Sequence, residues 1–192
     1  MRRFAAPAIF MTAALIAGCN DQSPSPTEGL RTDITVLFSK ADPKNAHTHL
    51  DGQAEVPVRE TSAQGHLKLQ LSPDGETLSY TLIASNIDNV FQAHLHLGPA
   101  DGTGPVVVWL YPSAPPAVPI PGRHNGVLAS GEITAESLVG ALAGESLSTL
   151  IEEIMAGNIY ANVHTNDFVD PANTGPGDFP GGEIRGQVQT GG

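Results

Sequence analysis

Three histidines sit where alternate residues of two short runs would point the same way. In Ala93-His94-Leu95-His96-Leu97 the imidazoles alternate with apolar side chains. A β-strand sends successive side chains to opposite faces, so His94 and His96 share one face, and Ala93, Leu95 and Leu97 the other. The run Ile159-Tyr160-Ala161-Asn162-Val163-His164 repeats the pattern, with Tyr160, Asn162 and His164 opposite its apolar face. Cα atoms two apart on a strand are separated by about 7 Å, a span over which two imidazoles can share one ion. A third imidazole from a neighbouring strand completes a three-nitrogen site, and such nitrogens suit copper or zinc. The same residues admit another role, in which the histidines hydrogen-bond neighbours such as Glu183 or Asn162 and only stabilise the sheet. At this level both roles stay open.

Other residues carry weaker signals. Glu183 and Arg185 flank Ile184, share a face, and are read as a structural clamp: a cross-strand ion pair or a hydrogen-bonded hold on the 166–182 loop. Asp167, Asp170, Asn173 and Asp178 supply hard oxygens to that loop, in a spacing that matches no known calcium loop. His47-Thr48-His49 offers a further imidazole pair at a strand end, and His66 and His124 stand alone. No nucleophile elbow, phosphate loop, HExxH helix or paired-carboxylate signature is present, so no catalytic residue is assigned.

The elements that must position these residues are mostly strands. From Thr48 onward short apolar runs are broken by Gly, Pro, Asn and Asp. Gly65–Leu71 alternates cleanly, Ser72-Pro73-Asp74-Gly75-Glu76 is a hairpin turn, and Leu78–Ala84 is the returning strand. Val106–Leu110 is a continuous apolar run that predicts burial on both faces. Val127–Ile133 and Glu183–Gln189 complete about eight strands, which predicts a mainly β fold, an antiparallel sandwich or barrel. Two short helices interrupt the late strands. Thr134 would cap Glu136–Leu142, and Ser146 a second helix with an apolar stripe of Leu147, Leu150, Ile151 and Ile154, ended by Gly157. Loops 111–122 (proline-rich) and 166–182 (glycine-rich) are long.

The N-terminus reads as an export signal. Met1-Arg2-Arg3 is positively charged, Phe4–Ala17 is apolar but short for a membrane span, and Ile16-Ala17-Gly18-Cys19 resembles a bacterial lipobox. The expectation is a signal peptide over 1–18, lipidation at Cys19, a tether over 19–44 and one domain over 45–190. Within the tether, Ile34–Phe38 is a short apolar patch that adds a candidate first strand. Cys19 is the only cysteine, so no intramolecular disulfide can form. Nine basic residues face twenty acidic ones, for a formal net charge of −11, and two of the basic ones lie in the export signal. Such a chain repels nucleic acid and anionic surfaces and is compatible with cation binding.

Five blocks together resemble a known family: Gly52-Gln53-Ala54-Glu55-Val56-Pro57, Ala93–Ala100, Gly104-Pro105-Val106-Val107, Tyr160–Thr165, and Pro180–Gln187. The combination is similar to the CHRD domain, the module named after chordin and common in exported bacterial proteins, over roughly residues 47–190. The resemblance implies an immunoglobulin-like β-sandwich and little about activity. Loops 111–122 and 166–182 are larger than a minimal version needs. A similar His-x-His strand carries copper in copper/zinc superoxide dismutases, but this chain lacks their cysteine pair and a set of zinc ligands, so a dismutase is not expected. The expectation is therefore a non-catalytic binding or structural module of the bacterial cell envelope. It is anchored to the membrane through lipid on Cys19, on the periplasmic or outer-membrane face, with copper or zinc at His94, His96 and His164. The alternative is a module that binds a protein or glycan through its loops, with an aromatic patch at Trp109, Tyr111 and Phe168. A metal-dependent redox enzyme is a more remote reading.

Overall fold

The computed structural model describes residues 46–191. The export signal, Cys19, the tether and the Ile34–Phe38 patch lie outside the described residues.

The hairpin forms where its turn chemistry puts it. Asp74 Oδ1 accepts from the Ser72 hydroxyl at 2.6 Å and from the Glu76 N–H at 3.1 Å, and Gly75 takes a φ of +75°. Its arms are β2 (Gln64–Leu71) and the start of β3 (Leu78–Leu97), paired from Leu71↔Leu78 to Gln64↔Ser85. Leu67, Leu69, Leu78, Leu82 and Ala84 are buried on the shared face.

The two runs expected as separate strands, 78–84 and 93–97, belong to this one 20-residue strand. Asn86 and Asn89 both adopt a φ of +53°, a conformation asparagine tolerates better than most residues. The register with β5 (Ile120–Ile133) shifts at these positions, so the ladder bends and changes partners instead of ending. Up to Ser85, β3 pairs with β2 and β5; from Ala93 it pairs with β4 (Val106–Tyr111) and β6 (Ile159–Thr165).

β1 (Ala46–Asp51) pairs with β2 and with β7 (Ile184–Gln187), and β7 pairs with β6. Because β2 also pairs with β3, the path β1-β2-β3-β6-β7 closes on itself as an antiparallel five-stranded barrel. β4 and β5 extend from β3, and β8 (Gln189–Thr190) pairs with β1. The fold is thus mainly β and antiparallel, as the strand pattern predicts. Leu50, Leu67, Leu82, Leu95, Val163 and Ile184 are fully buried in one core.

Only the second of the two expected helices is α. Segment 135–142 forms two 3₁₀ turns, Ala135–Ser137 and Gly140–Leu142. The break falls at Leu138 and Val139, which are extended: Leu138 bridges to Val108 on β4, and the Val139 N–H donates to the Val107 carbonyl at 2.9 Å. Helix α1 (Leu147–Met155) is capped by Ser146, whose hydroxyl accepts from the Thr149 N–H at 3.4 Å. Its stripe of Leu147, Leu150, Ile151 and Ile154 is buried, and Gly157, at a φ of +76°, follows its end.

Leu95 is fully buried in the core, whereas Val127 on β5 is 57% exposed. Leu95→Ala is expected to cost about 3 kcal/mol in chemical denaturation and Val127→Ala less than about 0.5 kcal/mol. Similar midpoints for both variants would show that β3 does not run through the core.

Candidate metal centre

The pairing of β3 with β6 sets Gln92 opposite His164, His94 opposite Asn162 and His96 opposite Tyr160. Residues paired across a ladder share a face, so the three histidines lie together, away from Ala93, Leu95, Ala161 and Val163. That outer face of the barrel is not solvated. His94, His96 and His164 are only 2%, 7% and 6% exposed.

Backbone carbonyls orient two of the rings. His164 Nδ1 is 2.9 Å from the Pro180 oxygen, and His96 Nδ1 is 2.9 Å from the Gly104 oxygen. A carbonyl only accepts, so both Nδ1 atoms carry the hydrogen and both Nε2 atoms present a lone pair. His164 Nε2 faces His94 Nδ1 at 3.2 Å, and the buried His96 Nε2 has no partner at full hydrogen-bond geometry, with the Asn162 side chain beside the ring raising its proton affinity. One potential ligand atom from each of the three imidazoles lies within 4.8 Å of the others. Two nitrogens bound to one tetrahedral ion at ordinary zinc distances are about 3.3 Å apart. The His94–His164 spacing is that of two ligands of a single ion; without an ion, His94 Nδ1–H donates to His164 Nε2.

Aromatic rings wall the cluster. His96 stacks on Tyr160, with centroids 4.8 Å apart and planes 6° from parallel, and His94 meets Trp109 edge-on at 4.3 Å. The Trp109 contact follows from the register, which pairs His94 with Trp109 across β3 and β4.

Burial sets the protonation state. Loss of hydration, followed by the neighbouring His164 and His96, pushes His94 down to about 3. Burial likewise pushes His164 down to about 4 against the opposing pull of its Pro180 hydrogen bond, and it lowers His96. All three are neutral near pH 7, the form that binds a metal without releasing a proton.

Glu183 and Arg185 fasten two different loops over this face. The fully buried Glu183 carboxylate accepts from the Thr61 and Thr165 hydroxyls at 2.6 Å each and from the Gly177 N–H at 2.8 Å. Thr165 Oγ1 in turn accepts from the Phe179 N–H at 3.0 Å. The 166–182 loop is thereby held so that Pro180 presents its carbonyl to His164. Arg185 reaches the 98–105 loop instead, donating to the Pro99 and Gly102 carbonyls at 2.7 Å each, with its guanidinium 3.5 Å from the Tyr160 ring centroid.

Glu55 is a member of this buried polar layer that local spacing does not reveal. Burial raises its carboxyl to about 7, although Arg185 and the Val56 N–H pull the other way. A Cβ at Gly182 would lie 2.3 Å from Glu55 Oε1 and 2.8 Å from Asn162 Nδ2, so the loop passes here only as glycine. The signal that could have found Glu55 is its place in the block Gly52–Pro57; its partners come from distant segments.

The remaining candidates are not drawn into the centre. Among the described residues, Asp167, Asp170 and Asp178 form no group with metal-ligating spacing. Asp178 is buried and accepts from the Thr174 N–H and hydroxyl at 2.9 Å each. His47, His49 and His66 lie on the outer face of β1 and β2, and His124 on β5. Trp109 and Tyr111 are half-buried, while Phe168 is 62% exposed.

A family model described as the CHRD domain matches residues 46–188. No curated protein and no solved structure matches the chain.

The histidines make stability pH-dependent. Unfolded imidazoles take up protons near pH 6.5 that folded His94 and His164 refuse until about 3 and 4. Their contribution is therefore intact above pH 6.5 and lost as pH falls towards 4. Glu55 acts oppositely: its raised value favours the folded state below the unfolded carboxyl range, an advantage lost as pH rises through 7. The imidazoles outnumber it, so metal-free protein is expected to lose on the order of 3 kcal/mol between pH 7 and 4.5. Denaturant titrations across that range read the slope, which His94→Gln should flatten. A stability independent of pH there would refute the neutral buried triad.

Proposed function

The chain belongs to the CHRD domain family, and we propose that it is an exported, lipid-anchored binding module of the bacterial cell envelope whose buried triad holds one copper or zinc ion. The observation that carries this reading is the convergence of His94, His96 and His164, with ligand atoms within 4.8 Å of one another. Three features of the surroundings support it. Carbonyl acceptors on two Nδ1 atoms leave Nε2 free, an arrangement common to metal-binding histidines, which donate their other ring N–H to a carbonyl or carboxylate. Burial keeps the rings neutral. A buried Nε2 on His96 without a partner is a cost that an ion would relieve. The donor set is all imidazole, which suits copper and zinc and does not suit calcium or magnesium.

The centre is read as binding and not catalytic, because none of its three side chains is more than 7% exposed and a substrate has little access to it. Export and anchoring rest on Met1-Arg2-Arg3, the short apolar stretch and Ile16-Ala17-Gly18-Cys19. The clamp role of Glu183 and Arg185 is to hold the two covering loops. A second reading has its own support: Phe168 and Val169, on the covering loop, are 62% and 65% exposed, which suits a surface that meets a protein or glycan.

The non-lipidated chain titrated with Cu(I), Cu(II) and Zn(II) is expected to bind one ion at the triad and to melt at higher temperature when loaded. His94→Ala, His96→Ala and His164→Ala should each weaken this binding at least a hundredfold. Variants that merely melt earlier, with no ion bound by the wild type, would make the histidines structural. For the anchor, the wild type is expected in the detergent phase on phase separation and Cys19→Ser in the aqueous phase; identical partitioning would remove the lipid.

A further inference from the structure

Away from the buried centre, β1 and β2 carry a second set of imidazoles on their outer face. His47 and His49 alternate with the buried Ala46, Thr48 and Leu50, and His66 lies between the buried Gly65 and Leu67. The register places His49 directly across from His66, and Lys68 across from His47. The His47 and His66 rings are 6.1 Å apart between centroids and tilted by 34°, the separation that His96 and His164 have in the buried centre. His49 Nε2 lies 3.8 Å from Asp51 Oδ2 on the same face. All three imidazoles line an open cleft of about 480 Å³ that also takes in Gln187, whose buried Oε1 has no partner.

We infer that His47, His49 and His66 form a second, solvent-facing site for a borderline divalent transition-metal ion, of which Cu(II) is the strongest binder. As placed, the three rings do not stand at ligand spacing, which among the described residues His94, His96 and His164 reach; the backbone ladder fixes the three Cβ positions, so chelation requires the side chains to rotate inward. His49 exchanges its contact with Asp51 for the ion, and the Asp51 carboxylate then stands beside the bound charge. Burial, followed by His47, the opposing cation Lys68 and His49, lowers the proton affinity of His66. The chain's net charge of −11 favours a cation at the surface. Among the described residues no carbonyl pins these rings, and His47 and His49 are exposed, so this site exchanges its ion freely with solution whereas the buried centre lies under fastened loops.

The site stands independently of the buried centre, and one titration separates them. The full chain in detergent is titrated with Cu(II) alone, followed by electron paramagnetic resonance and calorimetry, in wild type and in His164→Gln. One Cu(II) with imidazole nitrogen couplings is expected to persist in His164→Gln. His47→Gln or His66→Gln, both surface changes, should weaken that ion at least tenfold, and Lys68→Gln should tighten it severalfold. Should His164→Gln fail to fold, the same surface variants in the wild-type background are expected to remove the weaker of two bound ions. A Cu(II) signal unchanged by His47→Gln and His66→Gln overturns the proposal. A single ion that survives His164→Gln but not His66→Gln upholds it even though the buried centre is then empty.

Discussion

The register of β3 is the constraint on which everything else rests. It is paired on both edges up to Ser85, to β2 and β5, and again from Ala93, to β4 and β6, while β5 and β6 carry its ladder across the bend between them. A strand inside a sheet has no water to take up unpaired amides and carbonyls, so its ladders must be nearly complete. A slip of one residue would turn Ala93 and Leu95 outward and drive His94 and His96 into the apolar core. That exchange costs the burial of two aliphatic faces and strands two polar rings, so a single register is strongly favoured. The positions of the imidazoles are thus a consequence of core packing on the opposite side of the same strand.

The outer face of the barrel becomes a second interior, built from polar groups. Such an interior is tolerable only where donors and acceptors find one another. Glu183 meets three donors, and Arg185 meets two carbonyls and an aromatic face. Charge-assisted hydrogen bonds of this kind are stronger than neutral ones, so two side chains suffice to hold two long loops. The buried atoms left without partners include His94 Nε2, His96 Nε2, Asn162 Oδ1 and Glu55 Oε1, all within this layer. Arg59 Nε, Asp178 Oδ1 and Gln187 Oε1 are likewise buried without partners, so the deficit extends beyond the histidines.

How much of this was legible in the residues can be argued element by element. Period-two alternation placed the three histidines on one face of each run, because that inference needs only local geometry. The Asp74–Gly75 hairpin and the Ser146 cap were legible for the same reason. The continuity of β3 was not: Asn86 and Asn89 read as breakers, and only the partner strands decide that they bend the ladder. The first short helix failed at Leu138 and Val139, where pairing with β4, a strand distant in sequence, overrides the Thr134 cap. The carbonyls of Gly104 and Pro180 carry no sequence signal at all, since every residue has one. Arg185 reads on its face as a clamp on the 166–182 loop, but it holds Pro99 and Gly102 instead, because a long side chain reaches across strands that only the tertiary fold brings near.

Charge balance in the polar layer follows from the same burial. Three neutral imidazoles bring no negative charge, and the cation acting on His96 is the Arg185 guanidinium. Glu55, beside Asn162 and Arg185, is held near 7 and so is only partly ionised at neutral pH. The cost of placing an ion in a low-dielectric interior grows with the square of its charge. A monovalent ion therefore fits the surroundings with less electrostatic work than a divalent one. The raised carboxyl and the lowered imidazoles thus have one origin: burial disfavours the charged form of each.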